Sequence, residues 1–443
     1  MRKSLLFLLA VPALAQEPLS LRDAVKLALR ENKAIAATNA GLRASAARID
    51  EARAGWLPKL NYSESWARSD NPVFVFSSLL TEHQFGPQDF NIGPLNRPDF
   101  MNNFQSQLTV DQPIYDAGQI RNAVKSARLA RQMTAEQQRG TEMQVTAGVV
   151  QAYYGVTLAA DSLKTAEQAV ESAKADLERA ETMRGAGMST DVDVLSIRVH
   201  LAAVTEQRIQ RAADLEVAKS GLNDALGLPL DTQHALTTAL SPLHLSDLQL
   251  ASLERDAAAA RPEARATHLA ADLAKTQSAS AHSALLPQVG FHAAFEADRQ
   301  QFVEKGGANW LASIGLRWNL FNGMGDKARI KEFSHQVEQA RANEARVDSS
   351  VRLDVRRAWA GLEAAQQRIA VAQAAVAEAE ESLRITQNRY EAGMSNVTDL
   401  LRNETAVLES RTRYLAAVHD QRIAAAMLEL AAGRLSPDSE VLN

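Results

Sequence analysis

Ala186-Gly187-Met188-Ser189 returns unchanged as Ala392-Gly393-Met394-Ser395, 206 residues further along the chain. The same offset carries Ile114-Tyr115-Asp116-Ala117-Gly118 onto Leu320-Phe321-Asn322-Gly323-Met324, and Tyr153-Tyr154-Gly155 onto Trp359-Ala360-Gly361. It also carries Leu226-Gly227 onto Ala432-Gly433. Matches at one spacing mean that the two halves hold no net insertion between Ile114 and Gly227, which is the mark of a tandem structural repeat. Upstream the offset becomes 229, with Leu57-Pro58 against Leu286-Pro287 and Asn32-Lys33 against Arg261-Pro262. The difference falls between Pro58 and Tyr115. Residues 69–103, rich in Pro, Asn, Asp and Phe, therefore read as a long loop whose short counterpart is Asp298–Asn309.

Outward from the repeated glycine turns, the chain reads as helix. No proline occurs between Pro113 and Pro229 or between Pro287 and Pro437. Gly118–Arg184 and Gly325–Tyr390 are each predicted as one helix of about 65 residues, roughly 100 Å long at the α-helical rise. Leu362, Ile369, Val376, Leu383 and Tyr390 recur every seventh residue, with Ala365, Ala372 and Ala379 between them. The matching series in the first half is Val156, Leu163, Val170, Leu177 and Arg184. A seven-residue repeat imposes left-handed coiling on a partner helix, and an ordinary coiled coil fits the heptads alone. A second helix follows each turn, Asp193–Leu226 and Thr398–Ala432, so each half contains a long antiparallel hairpin. An opening helix is expected over Leu21–Gly55.

Between the helices the period drops to two. Phe104, Ser106, Leu108 and Val110 alternate with Gln105, Gln107, Thr109 and Asp111. Trp310 to Leu320 alternates in the same way, and Leu60–Arg68 and Gln288–Glu296 are predicted as their partners. Each run approaches the ~9–11 residues that a tilted strand needs to cross a bilayer. Trp66, Trp310 and Trp318 lie near strand ends, where an interfacial girdle places indoles. Two soluble hairpins packed on helices are the plainer reading of such short segments. Against it, the charged, Ala-rich helices offer no broad apolar surface to cover the sheet. Four strands cannot close a barrel, whereas three copies supply twelve, and open edges cannot sit in lipid.

Composition narrows the class further. The net charge of −5 leaves no basic surface that argues for nucleic acid. Hydrophobic residues reach 46% but aromatics only 5%, which suits long helices packed through alanine. Arg2 and Lys3, the apolar run Leu5–Val11 and Ala13-Leu14-Ala15 read as a secretory signal over residues 1–15. No later segment holds 18 consecutive apolar residues, so a membrane crossing falls to β-strands. There is no cysteine, hence no disulfide and no thiolate metal site. The nine histidines show no metal-ligand spacing, Ser189 and Ser395 have no base nearby in sequence, and no cofactor motif appears. An enzyme is not expected. The repeat frame is then 16–230, a linker over 231–250, 251–435 and a tail over 436–443.

With these motifs assembled, the chain resembles the TolC family of outer-membrane factors over essentially its whole mature length. The resemblance rests on Leu57-Pro58 leading into a strand, on Pro113-Ile114-Tyr115-Asp116-Ala117-Gly118 leading out of one, and on two tips. The first tip is Arg184-Gly185-Ala186-Gly187-Met188-Ser189-Thr190-Asp191-Val192-Asp193-Val194-Leu195. The second is Arg389-Tyr390-Glu391-Ala392-Gly393-Met394-Ser395-Asn396-Val397-Thr398-Asp399-Leu400-Leu401. It implies a mainly α fold with a membrane β-barrel portion: an α-barrel of long coiled helices plus four β-strands per protomer. It also implies a homotrimer in lipid of the outer membrane with a large periplasmic portion. Its partners would be a periplasmic adaptor (membrane fusion) protein and an inner-membrane RND-type or ABC-type pump, for efflux or type I secretion. A soluble periplasmic coiled-coil scaffold is the competing reading.

By the same resemblance Asp399 forms an acidic ring at the aperture, and Tyr390 is the gating tyrosine that links to Asp193. Residues Gly187, Met188, Ser189, Gly393, Met394 and Ser395 meet the adaptor. Plainer roles exist for each: helix N-capping for Asp193 and Asp399, the last heptad knob for Tyr390, and C-capping for the glycines. Two positions depart from the family pattern. Arg402 stands where a second acidic ring is expected, and Ser395 where a link-forming arginine is expected.

Overall fold

The computed structural model describes residues 17–243, 249–304 and 306–443, so the expected signal segment and part of the 231–250 linker lie outside the described residues. The elements begin with β1 (Glu17–Leu19), α1 (Leu21–Glu31), α2 (Lys33–Arg53) and β2 (Lys59–Ser69). Next come α3 (Pro72–Thr81), α4 (Ile92–Asn96), β3 (Met101–Tyr115), α5 (Gln119–Gly185), α6 (Asp191–Leu226) and β4 (His234–Leu236). The second half runs α7 (Leu250–Ala260), α8 (Pro262–Ser283), β5 (Gln288–Arg299), β6 (Gly307–Arg317), α9 (Gly325–Glu391) and α10 (Val397–Ala431). The two long helices have 67 residues each, as the proline-free heptads require.

The expected opening helix is instead two helices. Asn32 breaks it with an extended backbone, ψ 132°. Its side chain donates to Ala225 O at 2.9 Å and accepts from Ala34 N–H at 2.8 Å, which restarts the helix. The second half breaks at the equivalent place: Arg261 has ψ 133°, set by Pro262, which disfavours helical backbone in the residue before it. Strand limits also shift. The strand expected to reach Leu320 stops at Arg317, and residues 69–103 are not simply a loop but contain α3 and α4.

The chain divides into two compact units. The first gathers residues up to 41, 135–266 and 345–443. Its core joins Leu21 and Val25 of α1, Val149 to Tyr154 of α5, Leu226 of α6, Val351 and Val355 of α9, and Leu428 of α10. The buried Tyr153 hydroxyl donates to Leu19 O at 2.9 Å and accepts from Thr237 and Thr238 N–H at 3.1 and 2.9 Å. It thereby pins β1, which pairs in parallel with β4, onto α5. Gly227 ends α6 with φ +81°, and a side chain there would meet Glu31 O at 2.8 Å. Its repeat mate Gly433 lies as tightly against Arg261.

The second unit, residues 42–134 and 267–344, carries one antiparallel sheet in the order β2-β3-β5-β6. Register decides its faces. Leu60 pairs with Val110, Val110 with Ala293 and Ala293 with Ala312; the next row of this face is Tyr62, Leu108, Phe295 and Trp310. Its large side chains stay exposed, Trp310 at 80% and, further along β6 on the same face, Ile314 at 70%, while Val110 and Ala293 are half-buried. The opposite face is polar and cross-linked: Asn103 donates to Asp298 at 2.8 Å, Gln105 to Glu296 at 2.7 Å, and His292 lies 2.8 Å from Asp111. One polar insertion interrupts the apolar face, where Arg299 pairs with Glu64 at 2.9 Å beside Ser106.

Candidate functional site

The tips are built twice by the same local chemistry. Gly187 and Gly393 take left-handed backbone, φ +76° and +68°. The following Met188 and Met394 N–H groups bond back to Met183 O and Arg389 O, both at 2.8 Å, while the glycine N–H groups reach Arg184 O and Tyr390 O. This double bond pattern closes a helix C-terminus, and a β-carbon would strain the glycine position. The methionines are left two-thirds exposed, at 66% and 65%.

Each returning helix is then capped. Thr190 accepts from Asp193 N–H at 3.2 Å, and the Asp193 carboxylate accepts from Thr190 N–H at 2.9 Å and from its hydroxyl at 2.8 Å. Ser189 adds a 3.2 Å bond. The Thr190 backbone bond comes first in holding Asp193 below the usual aspartate range. In the second tip Asn396 accepts from Asp399 N–H at 2.9 Å. The Asp399 carboxylate lies 3.5 Å from Arg402 and accepts from Ser395 at 3.5 Å. The charge reversal expected at Arg402 is therefore an i,i+3 pair with Asp399.

Tyr390 of α9 is buried, 4% exposed, among Ala180 and Met183 of α5, Val194 and Ile197 of α6, and Val397 and Leu400 of α10, so the cluster joins all four tip helices. The Tyr390 hydroxyl is also buried and has no hydrogen-bond partner. Burial comes first in pushing the phenol above its ordinary pKa, and the nearby Asp193 carboxylate adds to that shift. The structure thus brings Tyr390 and Asp193 together, yet the carboxylate is spent on its own capping box and no direct bond joins them.

Three polar residues that sequence reasoning passed over sit one layer behind this cluster. Asp176 is 1% exposed, and Glu404 accepts from Ser172 at 2.8 Å and lies 3.1 Å from His200 Nε2. A cavity of about 340 Å³ opens beside them, lined by Ser172, His200, Glu380, Arg384, Glu404 and Arg411 among others. Among the described residues no group of three or more His, Cys, Asp or Glu is placed to hold a metal ion, and no helix is long and apolar enough to cross a membrane. What the tips offer is electrostatic: fixed charges beside a turn, and polar contacts between helices.

Comparison with known proteins agrees with this architecture. CyaE of Bordetella pertussis is 27% identical over 441 residues, covering 96% of this chain and 86% of that protein. The outer membrane efflux protein BepC of Brucella suis is 24% identical, covering 86% of this chain and 83% of that one. The crystal structure of the Campylobacter jejuni CmeC outer membrane channel superposes with a TM-score of 0.78 at 16% identity, over 95% of this chain and 87% of that one. The outer membrane efflux protein family matches residues 24–228 and 253–434, both repeats from the opening helix to the last glycine turn, and this chain belongs to that family.

Proposed function

We infer that this chain is the duct subunit of a tripartite efflux or type I secretion assembly, working as a homotrimer in the outer membrane. One observation carries the trimer: the sheet is apolar and exposed on one face, and β2 and β6 leave both edges unpaired. Taking each large apolar side chain out of water contributes about 1.5–3 kcal/mol, so lipid suits that face better than water. An unpaired edge in lipid leaves every second backbone group without a partner. Because all four strands alternate in direction, β6 of one copy meets β2 of the next antiparallel, and three copies close twelve strands.

The polar face then lines the passage, and the tips form its aperture. Asp399, Arg402, Tyr390 and Asp193 are the proposed gate residues. Gly187, Met188, Ser189, Gly393, Met394 and Ser395 are the proposed contacts for a periplasmic adaptor, which couples the duct to an RND-type or ABC-type pump. Two exposed methionines on tight turns suit such a contact, since a flexible thioether fits irregular apolar surfaces.

Fractionation tests this reading. The expected result is a heat-modifiable trimer extracted by detergent from the outer membrane. Recovery in the periplasmic soluble fraction as a non-trimeric species would favour the coiled-coil scaffold instead.

A further inference from the structure

Along the four-helix tip, two dry layers enclose a single charged one. The outer dry layer is the Tyr390 cluster; the inner one joins Val170 and Ala173 of α5 to Val204 of α6, with Leu201 and Leu408 against them. Between them Glu404 of α10 accepts from Ser172 at 2.8 Å, one turn before Asp176 on α5, which brings the buried Asp176 and Glu404 carboxyls against each other. Asp176 Oδ2 and Glu404 Oε2 are both buried without a hydrogen-bond donor. Two carboxylates facing each other out of water repel strongly, whereas one shared proton satisfies both oxygens.

The other groups around the pair do not replace that proton. On α5, Arg179 lies 2.6 Å from Asp176 Oδ1, but its Nε also bonds Glu391 of α9 at 3.1 Å. Ser172 of α5 takes Glu404 Oε1. On α6, His200 approaches Glu404 Oε2 without hydrogen-bond alignment. Arg411 of α10 is turned to Glu380 of α9 at 2.6 Å, and Arg384 of α9 to Glu381 at 2.7 Å. Neither arginine reaches the carboxyl pair.

We propose that Asp176 and Glu404 form a proton-held latch that fastens the first-repeat helix α5 to the second-repeat helix α10 and positions the tip closed. The proposal rests on reading the tips as the aperture. Its chemistry is one proton: Asp176 carries it as a carboxylic acid and donates it to Glu404 Oε2. Losing it to solvent leaves two buried like charges that separate the helices. Burial, and next the Glu404 carboxyl, push Asp176 up to about 8; burial also pushes Glu404 up, but the neighbouring His200, Asp176 and Ser172 together outweigh it and hold Glu404 low. The sign follows. An opened tip returns Asp176 to water and to an ordinary carboxylate pKa near 4, so the closed tip binds one proton more than the open tip between about pH 4 and 8. The closed state is full strength below that window and is lost as pH rises through it, by up to ~10-fold per pH unit.

Single-channel recording of the purified trimer in planar bilayers tests the latch. Open probability should climb steeply from pH 6 to pH 8 in the unaltered protein. Asp176→Asn keeps a donor to Glu404 at every pH, and should flatten that climb and hold the channel closed. Glu404→Gln is the second variant should the first fail to assemble, and should flatten the profile as well. A full pH response retained by either variant, or abolished only by His200→Gln, overturns the latch. Tyr390→Ala serves as the separate check on the aperture: if it raises conductance while Asp176→Asn leaves the pH profile intact, the latch fails and the aperture stands. If none of these substitutions alters the current, the aperture reading fails with it.

Discussion

Asp399 on the first turn of α10 and Arg402 on the second stand 3.5 Å apart, both substantially exposed. An exposed pair of this kind contributes about 0–1 kcal/mol, so its meaning lies in the charge it presents and not in stability. Arg402→Ala should leave folding unchanged and shift ion preference toward cations, because three uncompensated Asp399 carboxylates then face the aperture. The reversal potential in a potassium chloride gradient measures this, and an unmoved potential removes Asp399 from the aperture. Asp193 and Tyr390 teach a different lesson. The family resemblance pairs them, and in the structure the Asp193 carboxylate lies near enough to add to the upward push on the Tyr390 phenol. Sequence did not show that Asp193 is already committed to Thr190, because a capping aspartate and a gating aspartate look alike in one dimension. Asp176 and Glu404 were illegible for a related reason. Asp176 precedes the seam residue Leu177, on a flank where charge is normally solvated, and only the packing of α10 reveals a second seam there.

Among the elements, the long helices were fully legible: absence of proline, heptad spacing and glycine at the turn all point the same way, and α5 and α9 end within a residue of expectation. Helix α3 was not, although its start signals are present. Asn71 accepts from Val73 N–H at 2.9 Å and Pro72 occupies the first helical position. The surrounding Pro and Asn residues masked a short apolar helix as loop. The breaks at Asn32 and Arg261 differ in this respect: Asn32 leans on Ala225 O, 193 residues away, and so was hidden, whereas Pro262 sets the Arg261 break from the next position and was a signal in plain sequence. Tyr153 shows how such distant pieces are held. Tyr153→Phe strips the part-buried Thr237 and Thr238 N–H groups of their shared acceptor at a cost of about 1–3 kcal/mol. Hydrogen exchange at Thr237 and Thr238 should accelerate by about 10- to 100-fold. Unchanged protection at those amides would mean that β1 and β4 are held by their own pairing.

At the scale of the whole molecule, repetition is what one chain shows of a larger symmetry. The two halves repeat a helix break, two strands, a long helix, a glycine tip and a return helix. A sheet with one exposed apolar face and two free edges is incomplete by itself, and further copies complete it most simply. That need was legible from the alternating segments, because it follows from backbone hydrogen bonding and not from side-chain detail. Which buried polar groups meet across α5, α6, α9 and α10 was not legible, since that depends on side-chain packing between distant segments. The central claim is that three chains enclose a passage held narrow at the tips, and unit conductance in planar bilayers tests it most directly. Discrete low-conductance steps are predicted for the unaltered trimer, and several-fold larger steps for Tyr390→Ala, which empties the centre of the tip cluster. No steps from a correctly assembled trimer, or steps of equal size in both proteins, would contradict the account.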